Sequence, residues 1–63
     1  MEYKLVDFLE WRDFTGNLYK TGNYRFESQE DGNSILVDKK TKEIVAYREY
    51  SKQKGTTESF VSQ

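Results

Sequence analysis

Apolar and polar residues alternate along the middle of the chain, from Tyr24 to Tyr50, in short runs broken by turn-forming residues. Strict alternation over a few residues is the mark of a half-buried strand. The stretch "YRFESQE" opens with it, and "SILVD" and "KEIVAY" are short strand-like apolar runs with polar residues at their ends. Between the first two lies Asp31-Gly32-Asn33, the strongest local signal in the chain. Asp-Gly supplies the two positive φ values of a type I′ turn, whose twist matches that of the flanking strands. Between the second and third lies "DKKTK", where Asp38 and Thr41 have side chains suited to bonding nearby backbone. Many hairpins of this pattern carry glycine where Lys42 stands, so Lys42 is expected in left-handed backbone at modest strain. Residues 24–50 therefore read as a three-stranded antiparallel meander.

Loop lengths then set the register. A two-residue loop at Asp31-Gly32 places Phe26 opposite Val37 and Ser28 opposite Ile35. A four-residue loop over residues 39–42 places Val37 opposite Ile44 and Ile35 opposite Ala46. One face would hold Tyr24, Phe26, Ile35, Val37, Ile44, Ala46 and Tyr50, a coherent core. The other face would be polar except for a stripe of Leu36, Val45 and Tyr47. A solvent face seldom needs such a stripe, so a partner, a second copy or the N-terminal segment is expected to cover it.

Residues 3–14, "YKLVDFLEWRDF", fit neither period well. Helical spacing groups Leu5, Phe8 and Leu9 but leaves Trp11 and Phe14 off the stripe. Asp7 and Glu10 interrupt strand alternation and suit the first turn of a helix. Gly16 would fit just past a helix end. The expected fold is α+β, a short N-terminal helix packed on a three- to four-stranded antiparallel β-meander. The alternative, with a strand in place of the helix, is a small all-β barrel. The tripeptide Thr-Gly-Asn occurs twice, at 15–17 and 21–23. Both copies read as turns, because Gly and Asn tolerate left-handed backbone, and a six-residue period is too short for a duplicated structural unit. Residues 1–50 are expected to form one compact domain. The tail "SKQKGTTESFVSQ", residues 51–63, is polar and expected to be disordered, with Phe60-Val61 its one possible anchor.

Size sharpens this picture. A chain of 63 residues buries only about 60% of its unfolded surface, and domains that small usually add disulfides, a metal or a partner subunit. Cysteine and histidine are both absent, which removes disulfides and the commonest transition-metal ligands. One Trp, five Tyr and four Phe remain to build a core or an interface, and a homodimer or other homo-oligomer is a natural expectation. Chemistry is represented mainly by absences. There is no Cys or His to serve a nucleophile, no Gly-rich phosphate loop in helical context, and no EF-hand spacing around Asp31-Gly32-Asn33. Asp7, Glu10 and Asp13 share a helical face, best read as solvated. The chain is expected to be no enzyme and to hold no cofactor or metal. No apolar run reaches the ~20 residues a membrane helix requires. No basic leader precedes a long apolar stretch at Met1-Glu2-Tyr3-Lys4. A cytoplasmic, intracellular protein fits both.

Charge is uneven. Residues 1–37 carry four cations and seven anions, whereas residues 38–54 carry six cations and three anions. The basic part contains Lys39, Lys40, Lys42, Arg48, Lys52 and Lys54. It reads first as lysines that keep a sheet edge soluble and second as a patch for phosphates.

Together these features favour a small non-catalytic protein–protein interaction module, an inhibitor or adaptor. The candidate partner-binding residues are Trp11, Tyr19, Leu36, Val45, Tyr47 and Arg48. Trp11 also fits a core position, and Trp is enriched at interface hot spots. The alternatives are a nucleic-acid-binding sheet, with Tyr19, Tyr47 and Tyr50 stacking bases beside Arg48 and the lysines, or an oligomer that binds a small anion. In its brevity, its Lys/Glu/Asn/Tyr richness, its lack of Cys, His and Pro, and its "VDKKTKEIVAY" hairpin, the chain resembles the short accessory proteins of bacteriophages and mobile elements. That resemblance implies an intracellular role in blocking or redirecting a host or defence protein. It assigns no individual residue a role.

Overall fold

A computed structural model describes residues 2–28 and 33–63. The elements run β1 (Tyr3–Val6), α1 (Phe8–Tyr19), β2 (Tyr24–Ser28), β3 (Ser34–Asp38), β4 (Ile44–Ser51) and β5 (Thr56–Ser62). All five strands form one antiparallel sheet in the order β1-β5-β4-β3-β2. The α+β class holds, with one helix on one sheet, and the sheet has five strands rather than three or four. Each of the two extra strands corrects an expectation. "YKLV" opens the chain as an edge strand before the helix begins. Residues 56–62, expected to lie in a disordered tail, form β5 between β1 and β4.

The helix is longer and phased differently than its sequence suggests. Asp7 is the N-cap, its carboxylate accepting from Glu10 N–H at 2.8 Å, which satisfies one of the orphan donors of the first turn. The buried stripe is Trp11, Phe14, Thr15 and Leu18, an i, i+3, i+4, i+7 pattern. Leu5 lies in β1, while Phe8 and Leu9 remain exposed. The first Thr-Gly-Asn is therefore helix interior and not a turn. Thr15 is buried, and its hydroxyl donates to the Trp11 carbonyl at 2.9 Å. The second copy does turn the chain. Thr21 N–H and Gly22 N–H donate to Leu18 and Tyr19 carbonyls, and Gly22 takes φ 82°.

The helix crosses one face of the sheet and closes the core over Leu36, Ala46 and Val61. These three are aligned by register, Leu36 opposite Ala46 and Ala46 opposite Val61, with Phe26 opposite Leu36 on β2. Three of the four expected pairings are displaced. Phe26 faces Leu36 rather than Val37, and Ser28 faces Ser34 rather than Ile35. Ile35 faces Tyr47 rather than Ala46, because the register shifts between Leu36 and Val37. Val37 does face Ile44. The two one-residue displacements offset each other across the sheet, so Phe26 and Ala46 keep their expected face while β3 is inverted. Asp31 and Gly32, the expected type I′ turn, lie outside the described residues.

Lys42 adopts the left-handed conformation expected of it, at φ 69°. Asp38 organises that loop, its carboxylate accepting from Lys40 N–H at 2.8 Å and Thr41 N–H at 3.2 Å.

Candidate functional site

The helix covers only one side of the sheet. On the other side the register lays Ile35, Tyr47, Phe60 and Leu5 in a row across four strands. Val37, Ile44 and Tyr3 lie beside that row. Alternation puts Ile35, Val37, Tyr47, Phe60, Leu5 and Tyr3 on the face opposite Leu36, Ala46 and Val61, and the register shift that pairs Val37 with Ile44 brings Ile44 onto the same side. Three rings form a layer on this open face. Tyr47 stacks on Phe60 with centroids 4.8 Å apart, and Tyr3 meets Tyr47 edge-on at 5.1 Å. Tyr3 is held by its hydroxyl, which donates to the Ile44 carbonyl at 2.6 Å. Leu5 is 60% exposed and Ile44 37%, so the apolar band ends in open side chains at both sides. Beside Ile44 lies a depression of about 420 Å³, lined by Tyr3, Asn33, Ile35, Tyr47, Arg48 and Glu49.

Carboxylates rim this band. Glu49 stands directly opposite Glu58 on the next row, a like-charge pairing that disfavours the isolated sheet. Lys54 at the adjoining loop reaches Glu58 at 3.5 Å. Glu27 extends the apolar row onto β2, opposite Ile35. The field of this rim reaches the rings. Burial pushes the Tyr47 phenol above its ordinary value, and Glu49, Tyr3 and Glu58 push it the same way.

Of the six residues singled out from sequence, Tyr47 has its ring on this face and Arg48 borders its depression. Trp11 and Leu36 are buried in the core under the helix, 7% and 0% exposed. Val45 is half-buried against that core. Arg48 lies on the helix side, its guanidinium 4.5 Å from the Phe8 ring and 5.6 Å from the Trp11 ring. Its Nε donates to the buried Ser59 hydroxyl at 3.2 Å. Tyr19 sits at the helix end, exposed, 5.1 Å from Phe26. The stripe of Leu36, Val45 and Tyr47 therefore does not exist as a surface. Its place is taken by Ile35 and Tyr47, extended by Leu5 and Phe60, which the sequence reading left in the helix stripe and the tail.

The basic segment is likewise divided. Lys39, Lys40 and Lys42 occupy the β3–β4 loop, and Lys52 and Lys54 the β4–β5 loop. Those loops sit at opposite ends of β4, an eight-residue strand about 26 Å long. Lys39 is turned toward the second Thr-Gly-Asn, its ammonium donating to the Gly22 carbonyl at 3.1 Å. No single face collects the lysines with Arg48. Among the described residues, no group of three acidic side chains is placed to hold a metal ion, and no helix is long and apolar enough to cross a membrane. Comparison with protein-family models, curated proteins and solved structures finds no match to this chain.

Proposed function

We propose that the chain is a small non-catalytic binding module that docks the open face of its sheet onto a protein partner, as an inhibitor or adaptor does. The observation that carries this reading is the row Ile35–Tyr47–Phe60–Leu5, an apolar band across four strands on the side away from the helix, with no element of the described residues layered over it. The row is half-buried at Ile35, Tyr47 and Phe60 and exposed at Leu5, with exposed Ile44 beside it, and an apolar surface with a polar border is the anatomy of a recognition patch. The rings supply area at low entropy cost. The carboxylates Glu27, Glu49 and Glu58 select the partner's chemistry, an apolar ridge flanked by lysine or arginine. A basic partner would also relieve the unfavourable Glu49–Glu58 pairing. A nucleic-acid reading finds less support, since the exposed tyrosine face carries the acidic rim while the lysines lie at the two ends of the sheet.

The test is affinity capture from native lysate with three baits, the wild-type chain, Leu5→Glu/Ile44→Glu and Leu9→Glu. Leu9 is exposed on the helix, away from the band. A stoichiometric protein, held by wild type and Leu9→Glu, lost by the double variant and released by salt, is the expected result. Equal capture by all three baits, or none by wild type, overturns the reading.

A further inference from the structure

We infer that β2 is a self-pairing edge, through which two copies of this chain join their sheets about a two-fold axis at Phe26. β2 and β1 are the two edges of the sheet. Lys39 N–H donates to the Asn23 carbonyl at 2.9 Å, and Asn23 lies one step beyond the Tyr24–Asp38 pair. Because an antiparallel ladder alternates, Arg25 and Glu27 are the β2 residues that continue this bonding toward β3. The backbone N–H and C=O groups of Tyr24, Phe26 and Ser28 therefore point to the free edge, a row of donors and acceptors that no strand of the described residues pairs.

That row is complementary to itself. In the antiparallel register centred on Phe26, Tyr24 pairs with Ser28 of the second copy and Phe26 with Phe26. All outward-facing backbone groups of β2 are then used. The same register sets Arg25 directly opposite Glu27 of the second copy, twice. These fall at non-hydrogen-bonded positions, where facing side chains approach most closely. Within one chain Arg25 and Glu27 already pair at 3.5 Å, both partly exposed, so the exchange keeps each charge neutralised. On the helix side the axis brings together Phe26, 45% exposed, and its neighbour Tyr19, 53% exposed. The β1 edge lacks this symmetry. Gln63 N–H donates to the Glu2 carbonyl, which leaves Tyr3 and Leu5 facing outward. The register that uses both sets Lys4 opposite Lys4. A chain of this size without disulfides has most to gain from such an assembly, and the dimer would carry two open faces side by side on one continuous sheet. This inference is independent of what binds those faces.

The experiment is sedimentation velocity over a concentration series, with circular dichroism to confirm folding. The wild-type chain is expected to sediment as a dimer that dissociates on dilution. Arg25→Glu, and separately Glu27→Arg, each turn two attractive pairs into repulsive ones and should weaken the dimer about tenfold or more. The double reversal Arg25→Glu/Glu27→Arg should restore it. Having two single reversals keeps the test open if one of them fails to fold. Amide exchange on wild type gives a further readout, with Phe26 and Ser28 N–H protected at dimer concentrations and fast on dilution. A chain monomeric at its highest soluble concentration, a dimer indifferent to both reversals, or singles that weaken without rescue by the double would each overturn the inference.

Discussion

Lys42 and Gly55 occupy the same position in two successive four-residue hairpin loops. Each has a positive φ, 69° and 68°. Each N–H donates at 2.8 Å to the residue four before it, Lys42 to Asp38 and Gly55 to Ser51. The chain thus solves one turn with glycine and the other with lysine, and only glycine takes this conformation without a Cβ penalty. Lys42→Gly should stabilise the fold by about 1 kcal/mol, raising Tm by roughly 5 °C in a domain of this size. Gly55→Lys should lose about as much. Thermal unfolding of the two variants beside wild type checks both signs.

The two Thr-Gly-Asn copies make a second paired test. A Cβ built on either Gly16 or Gly22 meets no atom within 4 Å, yet Gly22 has φ 82° and Gly16 is helical. Gly16→Ala is expected to stabilise by about 0.5–1 kcal/mol through helix propensity and a less flexible unfolded chain. Gly22→Ala is expected to destabilise by about 1 kcal/mol. Denaturant midpoints of opposite sign from one tripeptide are the predicted outcome.

Arg48 gives a third. Its guanidinium lies against Phe8 and Trp11 and donates to Ser59, which is 3% exposed. Arg48→Met keeps the aliphatic stem but leaves that hydroxyl short of its donor and the rings without their cation. A loss of about 1–2 kcal/mol is expected. In a double-mutant cycle with Ser59→Ala the two losses should fall short of additivity by about 1 kcal/mol.

The open face predicts an alkaline weakness. Burial and the carboxylates of Glu49 and Glu58 raise the Tyr47 phenol above its ordinary 10.0. The folded state therefore holds that proton more tightly than the unfolded chain does. Its advantage is complete below the ordinary tyrosine value and is lost as pH rises through the folded one. Unfolding free energy should decline from about pH 10 upward. Tyr47→Phe, which cannot ionise, should show a shallower decline in the same buffers, and so should Glu49→Gln.

How far the sequence could be read depended on how local the deciding forces were. Lys42 was legible because a turn is settled within a few residues, and Asp7 and Glu10 announced the start of a helix for the same reason. Thr15-Gly16-Asn17 was not. The tripeptide is helical only because Trp11, Phe14 and Leu18 find a sheet to cover, so packing overrode its turn propensity. β5 was hidden by composition. Its two buried residues are Ser59 and Val61, and small side chains there fit where Trp11 of the helix and Arg48 of β4 already fill the space. A central strand gains hydrogen bonds on both sides whatever its side chains. The alternation of Ser59, Phe60 and Val61 was the available signal. The open face was misplaced for two reasons: the β2–β3 pairing is one residue off the expected register, and the register shift in β3–β4 between Leu36 and Val37 leaves no mark in the sequence, while one residue of slip turns a strand over.

The facing of β3 is itself open to measurement. Leu36 is wholly buried beneath the helix, while its neighbour Ile35 is half-buried on the open face opposite Tyr47. Leu36→Ala opens a cavity where no solvent or side chain can fill it, an effect of about 3 kcal/mol or more. Domains of this size hold only roughly 3–9 kcal/mol in total, so that variant should be largely unfolded well below the wild-type Tm. Ile35→Ala removes apolar area from a partly wet surface and should lose about 1–1.5 kcal/mol. It should instead weaken whatever docks on the open face. With the opposite facing, Ile35→Ala would be the crippling change and Leu36→Ala the mild one. Chemical denaturation of the two variants therefore decides which side of β3 is core and which is binding surface.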